Sequence, residues 1–233
     1  MISLIKSPTY FQSKILYDEL KLAIPKPYYV IGNSFALLSK LKNLNIPENY
    51  VLISLDVSSL FTNIPYNIVK ESLDKYATSI HTKCKIPFAD IVNITKFLFE
   101  NTFFKFNNMT YKQEFGLPMG SPISGLFADM VMNELEIECL NKLKVQHNVI
   151  PLLYARYVDD SLMIVDKNKI DTVLEIFNSY HKSLNFTHEL QNHNSINFLD
   201  ITILRDNTQL YYNWYRKPTS SNRTINFNSK HHI

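Results

Sequence analysis

Glycine is scarce in this chain: four residues in 233. With 45% apolar residues and no low-complexity tract, that argues against a disordered chain and leaves a folded one with a substantial core. Cysteine is nearly absent too. Cys84 and Cys139 form no Cys-x-x-Cys and no zinc quartet, which removes the thiolate metal sites and fits a reducing compartment or simple chance. Nowhere do eighteen apolar residues run together, so no membrane-spanning helix is expected. The N-terminus lacks a long apolar run followed by a small-residue cleavage site, so an intracellular protein is the expectation, nucleus or cytoplasm undecided. Net charge is +3, too mild by itself to indicate nucleic acid. Aromatic residues, by contrast, are plentiful, with 15 Phe and 14 Tyr.

The length fits one large domain or two small ones. Apolar spacing predicts helices over 10–24, stopped by Pro25 and Pro27, and over 32–44, ended by Pro47. The run Tyr50 to Leu55 reads as a buried strand closed by Asp56. A turn at Asn63-Ile64-Pro65, helices over 66–76 and 88–100, and a hairpin over 103–115 around Asn107-Asn108 follow. Gly116-Leu117-Pro118-Met119-Gly120-Ser121-Pro122 places two glycines and two prolines in seven residues, so the backbone there is bent to a specific shape. A helix over 123–143 comes next, then strands 149–157 and 161–165 as a tight hairpin with Asp159-Asp160 at its tip. A helix over 170–180 and strands over 184–189, 196–204 and 209–216 complete the chain. Helices mixed with antiparallel strands predict an α+β fold, with Asp56 and the acidic hairpin on one sheet.

The three acids are the chemistry-bearing residues. A turn holds acids for conformational reasons alone, yet Asp-Asp without Gly or Asn is a poor primed turn. Two adjacent like charges also repel, a cost that a bound cation removes. Carboxylates at strand ends can hold two divalent ions about 3.5–4 Å apart, the arrangement for in-line phosphoryl transfer. A ligand set of aspartates without His or Cys suits magnesium and argues against a zinc hydrolase.

Ser54-Leu55-Asp56-Val57-Ser58-Ser59-Leu60-Phe61, the Gly116 to Pro122 loop and Tyr157-Val158-Asp159-Asp160 stand in the order and spacing of reverse transcriptase palm motifs. The chain resembles most closely the reverse transcriptases of Penelope-like retroelements. That group continues the first motif as Phe61-Thr62-Asn63-Ile64-Pro65 and carries Phe198-Leu199-Asp200 followed by Tyr215-Arg216-Lys217-Pro218-Thr219, all present here. The resemblance implies a right-hand palm and RNA-directed DNA synthesis from dNTPs onto a primer on an RNA or DNA template. It implies Asp56, Asp159 and Asp160 as catalytic ligands of two Mg2+ ions, with Mn2+ as an alternative, and the Val57 carbonyl as an assisting group. Phe61 stands at the aromatic position that excludes a ribose 2′-hydroxyl; core packing is the competing reading. Pro118, Met119, Gly120 and Ser121 would line nucleotide and template, Met119 standing where retroviral enzymes carry glutamine. Tyr157, Trp214, Arg216 and Lys217 are the candidate primer and template contacts, since rings interleaved with positive charge suit stacking and backbone contact. Packing within a strand is the alternative for them.

By the same resemblance, residues 1–49 are a helical, partial fingers segment without the expected triphosphate-gripping basic residues. Residues 50–220 are the palm, with a fingers-like insertion around 85–115, and 221–233 are a tail. A thumb and a Gly-Ile-Tyr and Tyr-Ile-Gly endonuclease are not expected, so the chain reads as a fragment of a longer polyprotein or a decayed copy. Two other readings stay open: an inactive descendant that binds nucleic acid or a partner protein, and a metal-dependent nuclease built on the same acids.

Overall fold

The computed structural model describes residues 7–118 and 120–220. Residues 1–6, Met119 and the 221–233 tail lie outside the described residues.

The organising element is β1 (Tyr50–Val57). It pairs antiparallel on one side with β5 (Asp160–Asp166) and on the other with β6 (Phe186–Leu190). β4 (Leu153–Tyr157) pairs with β5, giving a four-stranded antiparallel sheet in the order β4-β5-β1-β6. Side chains alternate along each strand, so each face has its own core. Ile53, Leu55, Val57, Tyr154, Met163 and Val165 enter one apolar cluster with the helices α1 (Tyr10–Leu20), α4 (Tyr66–Lys75), α6 (Phe88–Glu100), α7 (Ser124–His147) and α8 (Ile170–Asn178). Leu52, Ala155, Leu162 and Ile164 enter a second cluster, with α2 (Ser34–Leu41) and a three-stranded sheet of β7 (Ser195–Phe198), β8 (Ile201–Asp206) and β9 (Gln209–Trp214). The runs Tyr50–Val57 and Asp160–Asp166 are apolar on both sides because both faces are covered.

The α+β expectation holds, and Asp56 shares one sheet with the acidic hairpin. Differences lie at boundaries and turns. α1 ends at Leu20, short of the prolines, where Ala23 and Ile24 N–H groups both fold back onto the Leu20 carbonyl. α2 starts at Ser34 because the Asn33 side chain accepts the Ala36 N–H at 2.9 Å, an N-cap. A four-residue helix α3 (Leu60–Asn63) precedes the Ile64-Pro65 turn, and an unforeseen helix, α5 (Ala77–Lys83), follows α4. α7 runs on to His147, ending where Asn148 takes a left-handed conformation. The hairpin of β2 (Phe103–Phe106) and β3 (Met109–Lys112) turns on Asn107 and Asn108, both at positive φ, the signature of a type I′ turn.

The single strand expected over 196–204 is a correction. It is two strands, with Phe198 paired to Ile201 across a turn of Leu199 and Asp200. Leu199 sits at φ 53°, and the Asp200 carbonyl accepts the Tyr215 N–H at 2.8 Å. An apolar residue carries the positive φ here, so the turn lacks the Gly or Asn that would mark it in sequence.

Candidate active site

Asp56 is the seventh residue of β1 and Asp160 the first of β5. The register pairs Leu55 with Ser161, so one further step sets Asp56 opposite Asp160. Parity puts both on the face of Leu52 and Leu162. Asp159 lies in the hairpin turn next to Asp160, since the Tyr157 to Asp160 pairing leaves Val158 and Asp159 as a two-residue loop. The tip is therefore Val-Asp rather than Asp-Asp, and Asp160 already belongs to the strand. Val158 takes φ 58°, the positive φ that the first position of a type II′ turn requires. A β-branched residue is a poor occupant of that region.

The carboxylates act on one another. Burial pushes the Asp160 carboxyl above its ordinary value, Asp159 and Asp56 push it further, and Lys217 pulls the other way. Asp56 is raised by burial first and then by Asp159, against a hydrogen bond from the Val57 backbone. Glu189 on β6 adds to both. Negative charge is thus concentrated beyond what Lys217 offsets, and oxygen-only donors of this kind fit a hard divalent ion. Among the described residues no three His, Cys, Asp or Glu side chains are grouped closely enough to hold a metal ion.

Phe61 lies on α3 just beyond β1, partly buried against the helical core. Its carbonyl accepts the Leu117 N–H at 2.7 Å, which brings the glycine-proline loop alongside it. Gly116, at φ +81°, presses on Thr62 so closely that a Cβ would stand 2.5 Å from the Thr62 carbonyl oxygen. The Gln113 amide caps the loop, its Nε2 lying 2.9, 3.1 and 3.0 Å from the carbonyls of Phe115, Gly116 and Leu117. Pro118 is buried and its carbonyl accepts the Ser124 hydroxyl at 2.6 Å and the Ser121 N–H at 3.1 Å, tying the loop to the start of α7. Gly120 is exposed at φ 88°, and Ser121 is buried. The Val57 side chain is in the core.

Of the candidate nucleic-acid contacts, Tyr157 is half-buried beside the turn and packs on the second cluster. Trp214 is 73% exposed and borders a cleft of about 230 Å3 with Phe35, Leu38 and Ile201. Arg216 and Lys217 are exposed, and Lys217 is near enough to Asp160 to act on its acidity.

Sequence reasoning missed what lies beneath the turn. Arg156, two residues before Val158, is fully buried on the opposite face of the sheet, against α7. Its Nη1 donates to Asp129 Oδ1 at 3.0 Å and to the Val158 carbonyl at 2.9 Å, and its Nη2 donates to Asn133 Oδ1 at 2.6 Å. Nε stands 2.7 Å from Glu136 Oε1, an ion pair buried on both sides. The Tyr154 hydroxyl donates to the same Glu136 oxygen at 2.7 Å and lies 3.1 Å from Ser161 Oγ. Burial pushes the Glu136 carboxyl up to about 7, against the pull of Arg156. The signal was there: Asp129, Asn133 and Glu136 recur at four and three along a helix whose other positions are largely apolar, opposite an arginine in an apolar strand.

The family model for reverse transcriptase (RNA-dependent DNA polymerase) matches residues 12–194. The chain belongs to the reverse transcriptase family. Solved structures agree on the fold of this reverse transcriptase domain. Apo telomerase from Candida tropicalis, truncated from its C-terminal domain, has a TM-score of 0.62 at 15% identity, covering 90% of this chain and 46% of that one. Telomerase from Candida albicans, in complex with a TWJ fragment of telomeric RNA, gives 0.63 at 13% identity over 88% of this chain and 38% of that one. The BmCPV RNA-dependent RNA polymerase at its elongation state gives 0.58 at 16%, over 87% and 20%. The domain spans less than half the length of each. Among curated proteins none matches. No helix among the described residues is long and apolar enough to cross a membrane.

Proposed function

We propose that this reverse transcriptase domain is the palm of an RNA-directed DNA polymerase of the Penelope-like kind, joining dNTPs to a primer 3′-hydroxyl on an RNA or DNA template. The observation that carries the reading is the convergence of Asp56 with the Asp159-Asp160 turn on adjacent antiparallel strands, their charges mutually opposed. Asp56, Asp159 and Asp160 would hold two Mg2+ ions, or Mn2+ in their place, assisted by the Val57 carbonyl. Bound there, the ions supply neutralisation of phosphate charge and a lowered pKa for the attacking hydroxyl.

The chain's own residues do the positioning. The loop from Pro118 to Ser121, Met119 among its residues, flanks the nucleotide. Phe61, joined to that loop through its carbonyl, supplies the steric check on the sugar. Tyr157, Trp214, Arg216 and Lys217 offer rings and positive charge to primer and template. Residues 1–49 would be the partial fingers segment, and the stretch around 85–115, which includes the β2–β3 hairpin, a fingers-like insertion in the palm. The Penelope-like assignment rests on the Phe61 to Pro65 and Phe198 to Thr219 motifs.

Primer extension by the purified chain, with RNA template, DNA primer, Mg2+ and dNTPs, tests the reading beside an Asp159→Asn, Asp160→Asn control. Extension that vanishes in the control supports it; cleavage of a labelled duplex with Mg2+ and no nucleotide favours the nuclease reading instead. Phe61→Ala should relax discrimination against ribonucleotides by about tenfold or more, since truncation opens the space a 2′-hydroxyl needs. Unchanged discrimination returns Phe61 to the core.

A further inference from the structure

Val158 occupies the left-handed region at φ 58° with a side chain 43% exposed. A β-branched residue there is strained and persists only where surroundings over-determine it. Its exposed side chain gains too little packing to supply that constraint, so the hold must come through the backbone. The Val158 carbonyl accepts a hydrogen bond from Arg156 Nη1 at 2.9 Å. That guanidinium is not free to drift. Asp129 and Asn133, on one face of α7, accept from Nη1 and Nη2, and Glu136 on the same helix forms a buried ion pair at Nε. The Arg156 backbone is fixed as well, its N–H donating to the Tyr29 carbonyl at 3.0 Å and its carbonyl accepting the Ile31 N–H at 2.9 Å.

We propose that Arg156 is a positioning residue for the acidic turn: its guanidinium, anchored on α7, holds the Val158 carbonyl and thereby sets how Asp159 and Asp160 are presented on the other face. A planar fork with five donors is needed because acceptors on a helix and on a hairpin must be met at once; the point charge of lysine reaches fewer of them. The functional half of this inference rests on reading Asp159 and Asp160 as cation-binding acids. The conformational half does not.

The experiment separates the two halves. Hydrogen exchange of the full chain, followed on peptides spanning 153–162, is compared with titration of Mn2+ for wild type, Arg156→Lys, Asp129→Asn and the double variant Arg156→Lys, Val158→Gly. Arg156→Lys should speed exchange selectively at Tyr157 to Asp160, with α7 and β1 keeping their protection, and should raise the Mn2+ Kd about tenfold, as loss of a supporting hydrogen bond behind a ligand does. Asp129→Asn, whose side chain is 42% exposed and so tolerates the change, should act in the same direction more weakly. If Arg156→Lys does not fold, this variant decides the matter. Glycine accepts positive φ freely, so Val158→Gly should recover part of the loss caused by Arg156→Lys. Exchange that rises uniformly over the molecule, or Mn2+ affinity unchanged in both single variants, overturns the proposal. Should wild type and an Asp159→Asn, Asp160→Asn variant bind Mn2+ alike, the acid reading fails while the exchange at the turn still decides the role of Arg156.

Discussion

The hairpin of β4 and β5 has two sides, and they treat charge in opposite ways. On the helix side, Arg156 and Glu136 are both buried, and around them stand Asp129, Asn133, Tyr154 and the Val158 carbonyl. On the other side, Asp56, Asp159 and Asp160 sit at the open end of the sheet, where burial and mutual repulsion raise two of them. The protein pairs the charges of the first set with its own groups, although Arg156 Nε and Glu136 Oε2 make no hydrogen bond, and leaves the second with surplus negative charge. A cluster whose charges are paired internally stabilises one conformation. One left with surplus charge is suited to a ligand that brings the opposite sign. The two sides are joined at a single carbonyl, that of Val158.

The largest effect should come from breaking the charge-paired side. Arg156→Ala leaves Glu136 buried without its counter-charge, and removal of one partner from a buried pair costs about 3–5 kcal/mol. Urea unfolding should show that loss, and the double replacement Arg156→Met, Glu136→Leu should recover most of it, because no buried charge remains. The pH dependence has a definite sign. Burial raises Glu136 to about 7 even with Arg156 present, and without it the folded value rises further. A carboxyl whose folded pKa exceeds its unfolded one loses stability as pH climbs through the interval and keeps the deficit above it. Arg156→Ala should therefore be more damaging at pH 8 than at pH 6.

Away from that buried pair the strongest mutational effect should pass through backbone geometry. Gly116→Ala meets both a positive φ and the Thr62 carbonyl, and should cost about 1–3 kcal/mol. Gly125, early in α7, has no neighbouring atom within 4 Å of the place an added methyl would take, and Gly125→Ala should stabilise by about 0.5–1 kcal/mol through helix propensity. Thermal unfolding of the two variants side by side isolates the contact from the general effect of adding a methyl group. The same Gly116 variant should perturb Phe61, whose carbonyl is bonded to Leu117.

These two sides were unequally legible in the sequence. Strand β1 and helix α7 announce themselves by apolar runs and spacing, and the acids by standing at the ends of such runs. The hairpin at Asn107-Asn108 was readable because asparagine tolerates positive φ. Val158 and Leu199 also sit at positive φ, but neither residue type signals it, so the sequence places the tip of one hairpin a residue too late and shows another turn as strand. Neither conformation follows from residue type, and at Val158 the carbonyl is held by the guanidinium below it. Arg156 itself went unread because its partners lie 20 to 27 residues earlier, and only the packing of α7 on the sheet brings them to it.

The smallest expected effect tests whether the open side is short of positive charge. Asp160→Asn should stabilise the domain slightly, by about 0.5 kcal/mol at neutral pH, the partial exposure of the group and solvent screening keeping it small. Burial and the neighbouring acids raise the folded pKa of Asp160, so its ionised form is disfavoured in the native state. The deficit is present above that value and vanishes below the unfolded one, so wild type and variant should converge in melting temperature as pH falls. A divalent ion should do to the wild type what the substitution does to the variant. Addition of Mn2+ should raise the wild-type melting temperature in proportion to ln(1 + [Mn2+]/Kd) and leave Asp160→Asn much less affected. A variant no more stable than wild type at neutral pH would mean that the repulsion is already relieved by a group of the protein, with Lys217, the cation acting on Asp160, as the first to replace.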